Sequence, residues 1–516
     1  MPQTPSSVVF PSSSQSRIAP LRARPESRGR LRRSIYVMLG MIACGAVLGR
    51  ILGVASIDRL ALETRLIADE VAKRAAAGTP IDPAIARKTI EREKRLIRPF
   101  LSANDRSRWL TLRSLVEQGT FAIDGIVVEP GWDTIDAVAH KDSKGTMRLY
   151  SSKPPLLSVL LAGPYWVIHQ TTGWTLGDHP FEIGRMLMVL YGVFPLAIMI
   201  CFTAMLVERI GTSDWGRIWS VALISLGTYL TTFSSVLTNH LPAAACTALS
   251  AWFVFRIRND QVRRFSTFFM AGLFAGLAAA LELPALAWTA LVAVGLGVID
   301  PRRTLLATLP AFALIAMAAV GTNWLAHGTL TPAYAHRNEP NDNWYRYSIT
   351  LTNGKTLESY WTNPKGTDRG EPSQGLYAVH SLVGHHGIFS LTPAWLLLIP
   401  GLVMLSRSCD REHRRAATAI ALVSLVVIAF YLSRGQPDRN YGGMTSAFRW
   451  VFWLAPLWVA AIVPVADKLS GCNRGRALGL LLLGSSVMSA AYPSWNPWVH
   501  PWLYHFMVHI GLVMPV

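Results

Sequence analysis

The stretch GWDTIDAVAHKDSKGTMRLYSSKPPLLS, residues 131–158, is a polar segment that stands between long hydrophobic runs. It contains the acids Asp133, Asp136 and Asp142, a histidine, several lysines, and a Tyr-Ser-Ser-Lys-Pro-Pro run that ends at Pro155. Charged groups are expensive to bury in apolar surroundings unless they are paired or used. This stretch is therefore the first candidate for chemistry.

The composition is that of a polytopic membrane protein. Of the 516 residues 51% are hydrophobic and only 16% are charged, and the mean hydropathy is +0.30. A soluble domain has fewer apolar and more charged residues. The net charge of +18 is spread over short basic clusters between apolar runs, which indicates membrane topology and excludes nucleic acid as an expected partner. The five cysteines show no disulfide or metal-site spacing.

The chain divides into a tail, a membrane domain and a second tail. Residues 1–33 are rich in Ser, Pro and Arg, which predicts a disordered basic cytoplasmic tail. Residues 34–491 form the predicted transmembrane domain, with extracytoplasmic loops at 56–153 and 326–386, and residues 492–516 form an aromatic extracytoplasmic tail. The apolar run that begins near Ile35 is long enough for an uncleaved first span.

About eleven apolar segments approach the ~20 residues that a bilayer requires. They are residues 35–55, 185–207, 217–237, 241–256, 265–281, 284–299, 304–325, 387–405, 415–432, 447–464 and 475–491. Alternate connections are basic, which predicts a cytoplasmic N-terminus and an extracytoplasmic C-terminus. We therefore predict an all-α polytopic fold with a large helical first outer loop, whose segment RWLTLRSLVEQGTFAID, residues 108–124, has the spacing of a surface helix.

Most candidate functional residues fall on the predicted outer face. Arg449 stands inside an apolar segment, where a guanidinium either binds an anion or extends to the interface. Asn239 and His240 lie where two spans meet, and Glu282 is interpreted as a cap between two apolar helices. The aromatic residues of loop 326–386 suit a sugar ring or, more simply, an interfacial belt.

With these features the sequence resembles the C-type (GT-C) membrane glycosyltransferases, a superfamily that includes protein mannosyltransferases, lipid A aminoarabinose transferases and the RgtA/B/C/D-like bacterial proteins. The resemblance rests on the first span, the large first outer loop with an acid, the Lys-Pro-Pro-Leu run from Lys153 to Leu156, and Arg185 at the opening of a later span. It covers roughly residues 35–300. A Tyr-Gly-Gly run from Tyr441 adds weak support in the second half.

The resemblance implies transfer of a sugar from a polyprenyl-phosphate donor to an envelope lipid, glycan or protein, outside the bacterial inner membrane. A carboxylate would accept the proton of the acceptor hydroxyl while cations stabilise the departing phosphate. It makes Asp136 the preferred base and Asp124 its rival, with His240 as a further catalytic candidate. The candidate substrate-binding residues are Lys153, Tyr150, Arg185, Arg449, Asn239 and Tyr441.

One departure from the superfamily leaves the activity open. Many relatives carry a second acidic residue at a position where this chain has Thr238-Asn239-His240. No metal ligands are therefore predicted, although a divalent cation stays an alternative, and membrane lipids are the expected surroundings. Two other classes remain: a transporter or flippase for a lipid-linked or polar substrate, and a non-catalytic protein with the same fold.

Overall fold

The computed structural model describes residues 25–514 except 95–99, 130, 338, 340–341, 352–353 and 355. Residues 1–24 of the predicted tail lie outside the described residues. The first helix begins at Pro25, inside the segment that was predicted to be disordered, and continues to Ala76 as one element of 52 residues.

The fold is almost entirely helical. The helices are α1 Pro25–Ala76, α2 Pro83–Lys94, α3 Ala103–Glu117, α4 Leu156–Thr172, α5 Pro180–Ile210, α6 Asp214–Leu226, α7 His240–Arg258, α8 Phe265–Leu281, α9 Leu283–Gly297, α10 Pro301–His327, α11 Gln374–Leu382, α12 Pro393–Ser406, α13 Arg411–Leu432, α14 Arg449–Leu469, α15 Asn473–Ala491 and α16 Trp502–His509. The longer helical turns are Asp124–Val127, Leu230–Phe233, Ala333–Arg337, Gly366–Arg369 and Ile388–Leu391.

Two small antiparallel hairpins interrupt the helices. Strands β1, Ala137–Lys141, and β2, Met147–Ser151, lie inside the first outer loop. The prediction of a helical loop is therefore incomplete, because the loop also contains this hairpin. Strands β3, Ser348–Thr350, and β4, Thr356–Glu358, lie inside loop 326–386.

Six of the described helices are long and apolar enough to cross a membrane: the Gly29–Gly53 part of α1, and α5, α7, α10, α13 and α14. The helices α8, α9 and α12 are apolar but shorter. An all-α membrane protein fits these findings, whereas the predicted count of about eleven spans is not confirmed. The predicted span 217–237 ends at Leu226, because hydroxyls such as those of Thr231 and Ser234 bond to nearby backbone carbonyls in a short turn.

Ion pairs connect neighbouring helices at one end of the bundle. Arg32 of α1 contacts Glu208 at the end of α5, Arg209 contacts Asp260 after α7, and Arg258 contacts Glu412 at the start of α13. The starts of α7 and α14 and the end of α8 lie at the other end, where the first outer loop packs. The basic residues of these three pairs thus share one end of the bundle.

Helix α3 is buried, which contradicts its predicted position on the membrane surface. Residues 105–114 are all buried, and Trp109 stacks on Phe100 with 4.1 Å between ring centroids. Asp105 Oδ1 accepts hydrogen bonds from Trp109 Nε1 and from the backbone N–H of Leu237, each at 2.9 Å. Because its polar groups bond to neighbouring elements, α3 can lie between the hairpin and the membrane helices.

Candidate active site

A cavity of about 960 Å³ lies where the first outer loop meets the membrane helices. Its walls come from residues 101–108, the quoted stretch, the start of α7, the α8–α9 junction, α10, α13 and the start of α14. Loop 326–386 and Trp498 of the C-terminal segment complete the lining. Segments far apart in sequence therefore contribute to one site.

The hairpin brings Asp136 and Lys153 together. Ala137 pairs with Ser151 in the β1–β2 register, so the residues just before β1 and just after β2 become neighbours. The backbone carbonyl of Asp136 accepts bonds from Ser152 N at 3.0 Å and from Ser107 Oγ at 2.6 Å. Lys153 Nζ then lies 2.9 Å from Asp136 Oδ1. The two residues that the sequence placed in different roles form a partly buried ion pair.

The surroundings hold both groups of this pair in a defined charge state. Burial raises the pKa of Asp136, but the positive charges of Lys153, Arg108 and Arg449 lower it by more. The pKa of Asp136 therefore lies below its usual value. Burial lowers the pKa of Lys153 to about 8, because Arg108 and Arg449 add to the burial effect and together outweigh Asp136. Asp136 is thus ionised at neutral pH, whereas Lys153 titrates just above it.

Arg108 is a third charged residue in the cavity, which sequence reasoning missed. It is buried on α3, and its Nε donates to Asn239 Oδ1 at 3.2 Å. Asn239 in turn donates to the carbonyl of Leu281 at 2.8 Å. The sequence offers no local signal for this burial, because arginine is rarely buried unless it is paired, and its partner Asn239 is far away in the chain.

Glu282 supplies a carboxylate beside His240. Oε1 of this buried glutamate lies 2.5 Å from His240 Nδ1, so its predicted role as a simple helix cap is incomplete. Arg449 Nη1 lies 3.2 Å from His240 Nε2, and arginine can only donate. His240 Nε2 must therefore accept, which leaves the proton on Nδ1, directed at Glu282.

The Tyr441-Gly442-Gly443 run lets the backbone approach Arg449 closely. Gly442 has φ +98°, and its carbonyl accepts from Arg449 Nη2 at 2.8 Å. A side chain there would begin only 3.0 Å from Arg449 Nε, so glycine is required by both space and conformation. The guanidinium also lies over the ring of Trp498, 5.0 Å from its centroid.

The outer rim of the cavity is formed by loop 326–386. Trp361 Nε1 donates to the carbonyl of Ile135 at 2.8 Å, immediately before Asp136. Arg337 lies over the Trp361 ring at 4.5 Å and pairs with Asp438 at 2.9 Å. Tyr345 is buried, so the aromatic belt does not account for it. The rim thus offers aromatic faces and polar groups next to the Asp136–Lys153 pair.

Four predicted site residues are absent from the described lining of the cavity. Asp124 Oδ1 instead accepts from Leu149 N at 2.6 Å and so fixes β2. Tyr150 stacks on His140 at 4.2 Å, and Tyr441 stacks on His386 at 4.8 Å. Arg185 lies on α5 directly after Gly184, which packs against the ring of Phe100. Asp136, Lys153, Asn239, His240 and Arg449 do line the cavity, although their roles stay predictions.

The cavity does not fit a divalent cation. Each of its two buried carboxylates already has a partner, Lys153 for Asp136 and His240 for Glu282, and Arg108 and Arg449 add positive charge. Within the described part of the chain, the one group of three close potential metal ligands is His336, Glu339 and Asp342, which is outside the cavity lining. The cavity is instead suited to an anion.

Among the comparisons with known proteins, solved structures give a likeness in fold. No protein-family model matches the chain, and no curated protein matches it. Among solved structures, the crystal structure of ArnT from Cupriavidus metallidurans in the apo state is similar, with 12% sequence identity and a TM-score of 0.42. The match covers 80% of this chain and 64% of that chain. At this identity and TM-score the likeness does not show a function.

Proposed function

We propose that this protein is a membrane glycosyltransferase that moves a sugar from a polyprenyl-phosphate carrier to an envelope lipid, glycan or protein on the extracytoplasmic side of the bacterial inner membrane. The observation that carries the proposal is the Asp136–Lys153 pair at 2.9 Å, in a cavity that also holds Arg108 and Arg449. A carboxylate beside several cations is what base-assisted displacement of a phosphate requires.

The cavity has one charged and one apolar wall, which suits a donor with a phosphate head and an isoprenoid tail. Leu283 and Leu286 of α9 and Phe430 of α13 line it and are each between 43% and 53% exposed. Apolar side chains at the membrane-facing side of a cavity favour a lipid chain over water. The phosphate would then lie between Lys153, Arg108 and Arg449.

In the proposed reaction, the acceptor hydroxyl oxygen attacks the anomeric carbon while the bond from that carbon to the phosphate oxygen breaks. The phosphate leaves with the electron pair and is stabilised by Lys153 and the arginines. Asp136 takes the hydroxyl proton, since it is ionised at neutral pH and the hydroxyl becomes acidic as its new bond forms. Lys153 contacts Oδ1 of Asp136, so it also holds the carboxylate in place.

Glu282 and His240 would position Arg449 in this scheme. His240 accepts from Arg449 through Nε2 and faces Glu282 through Nδ1, so the carboxylate fixes the tautomer that the arginine needs. The second acid that many GT-C proteins carry is then supplied by the α8–α9 junction, and the absence of an acid at residues 238–240 does not exclude catalysis.

The test is mass spectrometry of envelope lipids, glycans and proteins from cells that lack the gene and are complemented with variants. Wild type should restore a mass difference equal to one sugar residue, whereas Asp136→Asn should not. Asp178→Asn makes the same change at an exposed site outside the cavity lining and should behave as wild type. Transfer that survives in Asp136→Asn would support the transporter or non-catalytic alternative.

A further inference from the structure

A group of potential metal ligands lies in the loop that follows α10, apart from the cavity. The potential ligand atoms of His336, Glu339 and Asp342 lie within 4.8 Å of one another. These residues follow one another at intervals of three along the chain. Glu339 and Asp342 are exposed, so a cation could reach them from solvent.

Neighbouring side chains fix two of the three ligands in the orientation that a metal would require. The His336 ring stacks on Trp344 with 3.8 Å between centroids and 2° between planes. Its Nε2 lies 2.9 Å from Thr331 Oγ1, which leaves Nδ1 facing Asp342. Asp342 Oδ1 accepts from Trp344 Nε1 at 2.8 Å, so Oδ2 is the oxygen that faces His336. Hydrogen bonds to the far atom of a ligand are typical of metal sites.

The facing atoms of His336, Glu339 and Asp342 together form a potential site for a cation. His336 Nδ1 and Asp342 Oδ2 are 3.0 Å apart, and Glu339 adds a second carboxylate to the same space. A protonated histidine could satisfy one carboxylate but leaves the other close to it without a second cation from this group. A divalent ion satisfies all three.

We propose that His336, Glu339 and Asp342 bind one divalent transition-metal ion, with Zn²⁺ as the best chemical fit. Two carboxylates balance its charge, and an imidazole nitrogen is a ligand that zinc accepts readily, whereas Mg²⁺ and Ca²⁺ prefer oxygen. Water would complete the coordination, because three protein ligands leave a position open. The group outside the cavity fits a metal, although the cavity itself does not.

The site would stabilise the rim of the cavity. Arg337 follows His336 directly, pairs with Asp438 and lies over the ring of Trp361. A metal that fixes His336, Glu339 and Asp342 would therefore also fix Arg337 at the cavity rim. Metal binding itself does not depend on the proposed sugar transfer, since it is measured without any donor.

The experiment uses the full-length protein in detergent, stripped of metal with a chelator and titrated with Zn²⁺ by calorimetry. Wild type should bind one equivalent and gain apparent thermal stability. His336→Ala and Glu339→Gln should each lose at least about tenfold in affinity. His413→Ala is the matched control, because His413 forms a looser pair with Asp410, 3.8 Å apart, and belongs to no group of three close ligands in the described chain.

Two results would overturn the proposal. One is stoichiometric binding that is unchanged in Glu339→Gln, an exposed position where the substitution should not disturb folding. The other is a wild-type protein that binds no Zn²⁺ even when the Zn²⁺ concentration is about a hundred times the protein concentration. A sharp thermal transition of the same sample would show that the protein was folded. A wild-type protein that binds Zn²⁺ but transfers no sugar would contradict the proposed function and leave the metal site supported.

Discussion

His240 Nδ1 lies 2.5 Å from Glu282 Oε1, and His240 Nε2 lies 3.2 Å from a guanidinium nitrogen of Arg449. The imidazole thus joins a carboxylate from the α8–α9 junction to an arginine at the start of α14. All three side chains line the cavity that holds Asp136 and Lys153. The fold therefore places a carboxylate beside residue 240, where the neighbouring sequence has none.

Glu282→Gln should reduce sugar transfer by roughly 10²-fold, the usual effect of losing one preorganised electrostatic contact. The amide lacks the negative charge beside His240, and its NH2 group can donate to Nδ1 and so favour the tautomer that cannot accept from Arg449. Turnover in proteoliposomes is the measurement, with Glu182→Gln, on an exposed face of α5, as the matched control.

The Glu282 and His240 effects should not add, because the two residues act through one contact. The double variant Glu282→Gln with His240→Asn should be about as slow as the slower single variant. Losses that multiply fully would show that the two residues act independently.

Lys153 should make phosphate binding dependent on pH. Its pKa is about 8, lowered first by burial, so the ammonium loses its proton as pH rises through that value. Affinity for polyprenyl monophosphate should fall above about pH 8, by up to about tenfold per pH unit. Lys153→Arg should move the fall to higher pH, since arginine stays protonated. A wild-type affinity that is constant from about pH 7 to about pH 9.5 would rule out the phosphate role.

Asp105→Asn should stabilise the protein near neutral pH. Burial raises the pKa of Asp105 to about 6, so its ionised form is disfavoured in the folded state. The folded state binds more protons than the unfolded state between the ordinary pKa and about 6, and stability falls as pH rises through that window. Asparagine keeps an acceptor oxygen for Trp109 and Leu237 without the charge.

The apparent melting temperature should therefore rise more in Asp105→Asn at about pH 7.5 than at about pH 4.5. Asp105→Ala is the comparison that removes both hydrogen bonds, and it should destabilise at either pH. An equal shift for Asp105→Asn at both pH values would mean that the carboxyl is not protonated preferentially in the folded state.

Topology is testable with reporter fusions. A fusion after Gly370 should give an extracytoplasmic signal, because Gly370 lies in loop 326–386 at the end of the bundle opposite the clustered ion pairs. A fusion after Arg303 should give a cytoplasmic signal and serves as the control. Cytoplasmic activity after Gly370 would invert the predicted orientation.

Sequence reasoning identified the quoted stretch as the candidate site because Asp136 and Lys153 are polar groups in a chain that otherwise separates charge from apolar runs. It could not show that the two touch, since their contact depends on the β1–β2 register. It placed α3 on or near the outer membrane surface because the apolar residues of this segment have amphipathic spacing. In the fold the arginines of this helix are satisfied by side chains and carbonyls of other elements, as with Arg108 and Asn239.

Glu282 and the span count show a second limit of prediction from sequence, which is that local patterns do not reveal long-range packing. A lone acid between two apolar helices is compatible with a cap, and only the packing of α7 against α8 brings it to His240. Hydropathy likewise counted residues 217–237 as one span, although the hydroxyls of the 228–235 segment favour a turn after Leu226. Local pattern predicts helices well and contacts between distant helices poorly.

The most direct test of the central claim is to measure donor affinity and turnover separately in Asp136→Asn, with Asp178→Asn as the control. If Asp136 is the base, turnover falls by roughly 10²- to 10⁴-fold while affinity for the polyprenyl-phosphate donor stays close to that of wild type. Lys153 and the arginines still bind the phosphate in this variant. Near-normal turnover in Asp136→Asn would contradict the account and remove catalysis from this stretch.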